Sequence, residues 1–306
     1  MPRHWISTIG ILAIVQVLST ITLARSANLD LTRAEEQYGR TEYRAAINTI
    51  QMLSPKSASG YALLGKAHFM EGQYKDATAY LERAVGQDPL NSEYYDCLGR
   101  AYGRLAERSG FLSALGYAKK TGRAFERAVA LAPSNLEALS DLFEYYLQAP
   151  GIVGGGLDKA QGIAVMISRL NEAEYHYVCS RLAEKRNNIA NAEQELRLAM
   201  KVAPTDVGRV LDFAAFLSSH GRYNESDEVF RFAEQIAPNS PKLLFARGAA
   251  YIQSKRNLDE AKRLLRRYLE CQITPEDPPR SEVTTLLKAA GHCGAGNLPS
   301  ERACTP

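Results

Sequence analysis

Few side chains in this 306-residue chain are spaced to do chemistry, and each cluster that approaches a familiar site lacks a necessary group. Gly154-Gly155-Gly156 could leave backbone N–H groups free to cradle an anion ahead of a helix. A phosphate loop also needs Lys-Ser/Thr after the last glycine and a strand before the first. Leu157, Asp158 and Lys159 follow instead, and no strand precedes them. The run therefore reads as a loop device, with Asp158 as the N-cap of a helix from Lys159. His292-Cys293 offers two metal ligands where zinc uses four. The five cysteines include no C-x-x-C pair, and neither a nucleophile elbow nor H-E-x-x-H occurs. His68 and His176 read as packing residues. Glu35-Glu36 and Asp227-Glu228 read as solubilising charges on helices. The basic run from Lys262 to Arg267 reads as a solvated face, with an anionic lipid surface or acidic partner as the alternative. No catalytic, cofactor-binding or metal-ligating residue is expected, no cofactor is implied, and the chain is expected not to be an enzyme.

The elements around these residues are helical by composition. Hydrophobic residues make up 45% of the chain, Ala, Leu and Tyr are frequent, and β-branched runs are sparse. With 37 basic against 34 acidic residues, the body has no concentrated positive charge to support nucleic-acid binding. At the N-terminus, Arg3 and His4 precede an uncharged apolar stretch from Trp5 to Ala24. Ala24 and Ser26 then place small residues at the −3 and −1 positions of a cut after Ser26. Residues 1–26 thus read as a signal peptide. The stretch is also long enough to span a bilayer, which makes an uncleaved membrane anchor the rival reading. Both place the body outside the cytoplasm, exported or tethered to a membrane. Cys97 and Cys179 fall at apolar helical positions and read as small core residues. In an oxidising compartment any two of Cys271, Cys293 and Cys304 could pair.

Internal repetition organises the rest. Phrases of the form hydrophobic-x-x-Pro close at Pro89, Pro133, Pro204 and Pro238, consistent with a unit of about 34 residues and two insertions, near 104–119 and 149–158. In the clearest unit, Ala58–Asn91, Tyr61, Leu64, Gly65 and His68 share one face of a first helix. Gly72 makes the turn, Tyr74, Ala77, Leu81 and Ala84 face inwards from a second helix, and Pro89 ends the unit. Gly65 and Ala77 stand where the paired helices come close, with Leu64 and Leu81 filling the space around them. The same frame accommodates about seven units across residues 27–270. Ser281–Ala290 follows a Pro-rich break and opens like a capping box through Ser281 and Thr284, which predicts a capping helix over 281–290. A flexible tail is expected over 291–306.

These positions resemble the tetratricopeptide repeat family. The resemblance implies an all-α fold, a right-handed superhelical α-solenoid of helix-turn-helix units, with a concave groove lined by the first helices and a protein or extended peptide as ligand. Transferring the family's groove positions gives Lys66, Phe69, Arg100, Arg104, Tyr177, Arg181 and Phe245 as peptide-groove candidates. The Lys/Asn clamp for carboxylate tails used by some members is absent. Basic residues beside aromatic ones imply an extended acidic or mixed peptide, against the alternative of a groove filled by the chain's own helices. A non-enzymatic scaffold outside the cytoplasm, serving envelope or secretion-complex assembly, is the leading expectation. A self-associating structural array and an accessory enzyme subunit with chemistry in one insertion are the alternatives.

Overall fold

A computed structural model describes residues 29–294, with side chains described to residue 291. The segment read as signal or anchor (1–26), the side chains of Cys293 and Cys304, and the tail beyond 294 lie outside the described residues. Among the described residues every regular element is helical. Residues 29–39 form α1, followed by α2 (Tyr43–Gln51), α3 (Ala58–Met70), α4 (Tyr74–Gln87), α5 (Ser92–Arg108) and α6 (Phe111–Leu131). Next come α7 (Leu136–Gln148), α8 (Leu157–Ile167), α9 (Glu172–Lys185), α10 (Ile189–Val202) and α11 (Val207–Ser219). The array closes with α12 (Tyr223–Ile236), α13 (Pro241–Gln253), α14 (Leu258–Glu270) and α15 (Arg280–Gly294). Odd and even helices pack in sequential pairs, and α3, α5, α7 and α9 also touch one another along one side of the stack. The result is an α-solenoid of seven helix pairs with a terminal helix.

Two local rules recur in register. The turn between paired helices places one residue in the left-handed region: Thr41, Gly72, Asn187, Gly221 and Lys255, with φ between 53° and 75°. In each case the next N–H bonds back five residues, as from Gln73 to the His68 carbonyl and from Arg222 to that of Leu217. The second rule is close approach. A Cβ on Gly65 would fall 2.4 Å from Leu81 Cγ, one on Gly99 would fall 2.5 Å from the Phe125 ring, and one on Gly248 would fall 2.9 Å from Leu265 Cγ. Ser180 and Ala214, both buried, stand at the corresponding positions of α9 and α11.

The insertions resolve differently from one another. The first lengthens α5 and α6, leaving only Ser109-Gly110 between them. The second forms a single 3₁₀ turn, Gly151–Val153, after which Gly154 and Gly156 adopt positive φ. Asp158 is not the N-cap expected of it. Gly156 occupies that position and the helix begins at Leu157, because the reversed backbone at Gly156 starts the helix two residues early. Ser281 is likewise no cap. Pro278 and Pro279 let α15 begin at Arg280, which carries Ser281 into the first turn, where its hydroxyl is buried without a hydrogen-bond partner.

Candidate functional site

The seven groove candidates do not form one continuous surface. Lys66 on α3 bonds through Nζ to Glu93 Oε1 at 2.8 Å and lies over the Tyr38 ring. Phe69, one turn on, packs against Tyr74. Arg100 on α5 is held by Asp96 at 3.1 Å, Glu137 at 2.5 Å, and Asp141. Arg104 reaches Glu107 at 3.0 Å and Glu282 at 2.9 Å. Further along, Arg181 meets Glu144 at 3.4 Å and the Tyr177 hydroxyl, while the Arg209 guanidinium covers the Tyr177 ring. Phe245 leans on Tyr268 inside the C-terminal core. The expectation of free basic residues is thus met differently: each candidate cation is already engaged by a carboxylate, usually from a neighbouring repeat.

Lys66, Phe69 and Arg100 nevertheless converge on one cavity of about 330 Å³, with Tyr38, Met70 and Cys97. Its opposite wall comes from the far end of the chain, Pro275–Pro279 and Glu282. Arg104 stands at the rim through its pair with Glu282. Burial pushes the Cys97 thiol up to about 12, with Lys66 and Arg100 opposing, so it is a neutral lining group. Burial also raises the Tyr38 phenol. Desolvation works against the Lys66 ammonium, but the Glu93 hydrogen bond and nearby acidic groups outweigh it and hold its pKa above the ordinary lysine value. Burial likewise pushes the Asp96 carboxyl up to about 7 against the pull of Arg100. The cavity therefore has an aromatic and thioether floor, a cationic side and an acidic, proline-rich lip. Among the described residues no group of three or more His, Cys, Asp or Glu is placed to hold a metal ion.

A family model for the tetratricopeptide repeat matches residues 58–89, the helix pair α3–α4 that supplies Lys66 and Phe69. The chain therefore carries a tetratricopeptide repeat at α3–α4. Among solved structures, a tetratricopeptide repeat protein from Parabacteroides merdae matches with a TM-score of 0.58 at 14% identity. That alignment covers 87% of this chain and 99% of the other. A thermophilic tetratricopeptide repeat protein from Thermus thermophilus matches with a TM-score of 0.51 at 18% identity, covering 62% of this chain and 98% of that one. At these identities the likeness is one of fold. No curated protein matches the chain.

Within this helical array, the repeat frame places Lys66, Phe69, Met70 and Arg100 on the groove side and leaves out Tyr38, Cys97, residues 275–279 and Glu282. Tyr38 belongs to the degenerate first unit, where the repeat pattern is weakest. Cys97 read as core, and it does sit in a desolvated place, but that place lines the cavity. The proline-rich break at 275–279 was visible in the sequence as a helix stop. Its seat opposite α3 depends on the curvature of the whole array.

Proposed function

We propose that this tetratricopeptide repeat protein is a non-enzymatic scaffold that holds an extended segment of a protein partner against the concave face of its N-terminal repeats, outside the cytoplasm. The observation that carries this reading is the cavity formed by Tyr38, Lys66, Phe69 and Arg100. It offers apolar contact together with cationic groups able to meet backbone carbonyls or carboxylates. Supporting export are Arg3 and the apolar stretch Trp5–Ala24 with small residues before a cut after Ser26. A role in envelope or secretion-complex assembly fits a scaffold placed there.

A photo-cross-linking amino acid at Phe69, and another at Glu195 outside the cavity, in full-length protein expressed in its native cells, tests the binding reading. Adducts to a discrete protein at position 69 and not at 195 are expected. Equal labelling at both, or none at 69, overturns it. Cell fractionation tests the location, and a purely cytoplasmic body would overturn that part.

A further inference from the structure

The two ends of the solenoid are joined by residues 271–282, the connection after α14 together with the first residues of α15. This strap carries three prolines at 275, 278 and 279 and three acids at 276, 277 and 282. On its own side it is firmly built. Ile273 and Val283 are buried with Leu244, Leu265 and Tyr268. The Asp277 carboxylate accepts from the Thr274 N–H at 2.9 Å and the Thr274 hydroxyl at 3.1 Å. The Tyr268 hydroxyl donates to the Pro278 carbonyl, and Arg280 donates to the Cys271 carbonyl at 2.9 Å.

On the opposite side the strap lies on the first three repeats, and there its contacts are few. Glu282 pairs with Arg104, 178 residues away, through side chains 38% and 33% exposed. Arg280 donates to Thr41 Oγ1 at 3.3 Å. The joint also leaves two buried hydroxyls, those of Tyr43 and Ser281, without hydrogen-bond partners. Between strap and repeats lies the cavity of about 330 Å³, floored by Phe69 and Met70. A half-exposed ion pair, a long hydrogen bond and a cavity left between the two surfaces describe an occupant that seats on the groove without packing tightly into it.

We infer that residues 275–282 are a built-in occupant of the N-terminal groove, displaced by an extended, acidic, proline-containing segment of a partner protein that fills the same cavity. The inference rests on the scaffold reading above and adds to it the chemistry of the ligand and a control on its access. The strap shows which chemistry the groove accepts: prolines keep the segment extended without needing backbone N–H partners, and the Glu282 carboxylate meets the cationic rim at Arg104. Because the strap is tethered, it competes at high effective concentration, and an outside ligand must bind the fraction of molecules in which it has lifted.

The test uses the full-length protein and a fluorescent synthetic peptide of the strap sequence Thr274–Glu282. In one variant residues 275–279 become a Gly-Ser run of equal length, which keeps Ile273 and Val283 to anchor α15; a second variant is Glu282→Lys. Peptide affinity should rise about 10-fold in the Gly-Ser variant, as expected when a competitor that closes the site nine-tenths of the time is removed. Glu282→Lys should move the same way, and Lys66→Glu in the Gly-Ser background should abolish the gain. As a check on folding, each variant must keep the wild-type circular dichroism spectrum. Iodoacetamide labelling of Cys97, mapped by mass spectrometry, should quicken when the strap lifts. Equal peptide affinity in the wild type and both variants, or binding indifferent to Lys66→Glu, overturns the inference. If position 69 still cross-links to a partner in that case, the strap reading falls and the scaffold reading stands. If position 69 never cross-links, the scaffold reading falls by itself.

Discussion

Gly65→Ala and Gly86→Ala are the same chemical change in the same helix pair, yet the structure gives them opposite signs. An alanine Cβ at 65 would lie 2.4 Å from Leu81 Cγ and 3.1 Å from the Ala77 carbonyl oxygen. Leu81 is 1% exposed, its Cγ is a branch carbon and not the free end of a chain, and the carbonyl is helix backbone. Ordinary contact is restored only if Leu81 shifts or α3 and α4 part by about 1 Å, which disturbs a close-packed pair. Overpacking of this kind costs about 1–3 kcal/mol, while alanine in place of glycine within a helix returns about 1 kcal/mol. The net expectation for Gly65→Ala is a loss of up to about 2 kcal/mol. At Gly86, near the end of α4, nothing lies within 4 Å of the added methyl. Propensity then acts alone and stabilises by about 0.5–1 kcal/mol. Urea unfolding followed by far-ultraviolet circular dichroism measures both, since the single tryptophan, Trp5, lies outside the repeats. A Gly65→Ala protein as stable as Gly86→Ala would refute the claim that the small residue sets the helix separation. Gly99→Ala, against the Phe125 ring, repeats the test one repeat along.

Three further outcomes follow from single positions. A Cβ on Gly155 would fall 1.8 Å from the Ala149 carbonyl oxygen, whereas one on Gly151 meets nothing within 4 Å. Gly155→Ala should therefore lower the unfolding midpoint sharply and Gly151→Ala hardly at all; equal effects would show that the 149–156 loop is not packed on itself. Lys255 holds a left-handed conformation at φ 53° where Gly72 and Gly221 stand in sister repeats, so Lys255→Gly should stabilise by up to about 1 kcal/mol, and a destabilised variant would contradict this. The Asp96 carboxyl, raised by burial to about 7 from an ordinary 3.8, keeps its proton in the folded protein over a range where the unfolded chain releases it. Stability from this group is full below pH 4 and is lost as pH rises to about 7. Relative to wild type, Asp96→Asn should gain on the order of 1–3 kcal/mol across that window, and a difference independent of pH would refute it.

How much of this was readable in the chain follows the range of the physics involved. The repeat was legible because its determinants are local. A small residue at 65, 99 or 248 faces a large one at 81, 125 or 265, and the left-handed turn follows five of the seven first helices. Helix starts at the two irregular places were misplaced, because Gly156 and Pro278-Pro279 set them and not the polar residue nearby. The lengthening of α5 and α6 did not follow from the position of the first insertion, since a helical period alone cannot say where a turn falls. The strap lay beyond reach altogether. Thr41 and Arg280 meet across 239 residues, and only the accumulated rotation of seven repeats brings them together.

The charges on the concave side show why residue type alone overstated the groove. Arg100 was chosen as a ligand contact because it is basic and at a groove position, but its partners Glu137 and Asp141 lie 37 and 41 residues on, one repeat away. Arg181 and Glu144 are 37 apart, and Ser140 and Glu174 are 34 apart. These contacts tie successive first helices together, so truncating them tests the solenoid before it tests binding. Arg100→Ala would leave Asp96 and Asp141, both shifted up by burial, without their shared cation. The expected loss is about 1–3 kcal/mol at neutral pH, allowing for screening of a guanidinium about one-third exposed. It should shrink as pH falls below neutral, because Asp96, already held up to about 7 by burial, takes its proton first and Asp141 follows, and neither then needs a partner. Urea midpoints for wild type and Arg100→Ala measured across that range decide the matter. If the deficit stays constant with pH, the arginine acts through packing and not through charge. If there is no deficit, Arg100 is free for a ligand after all.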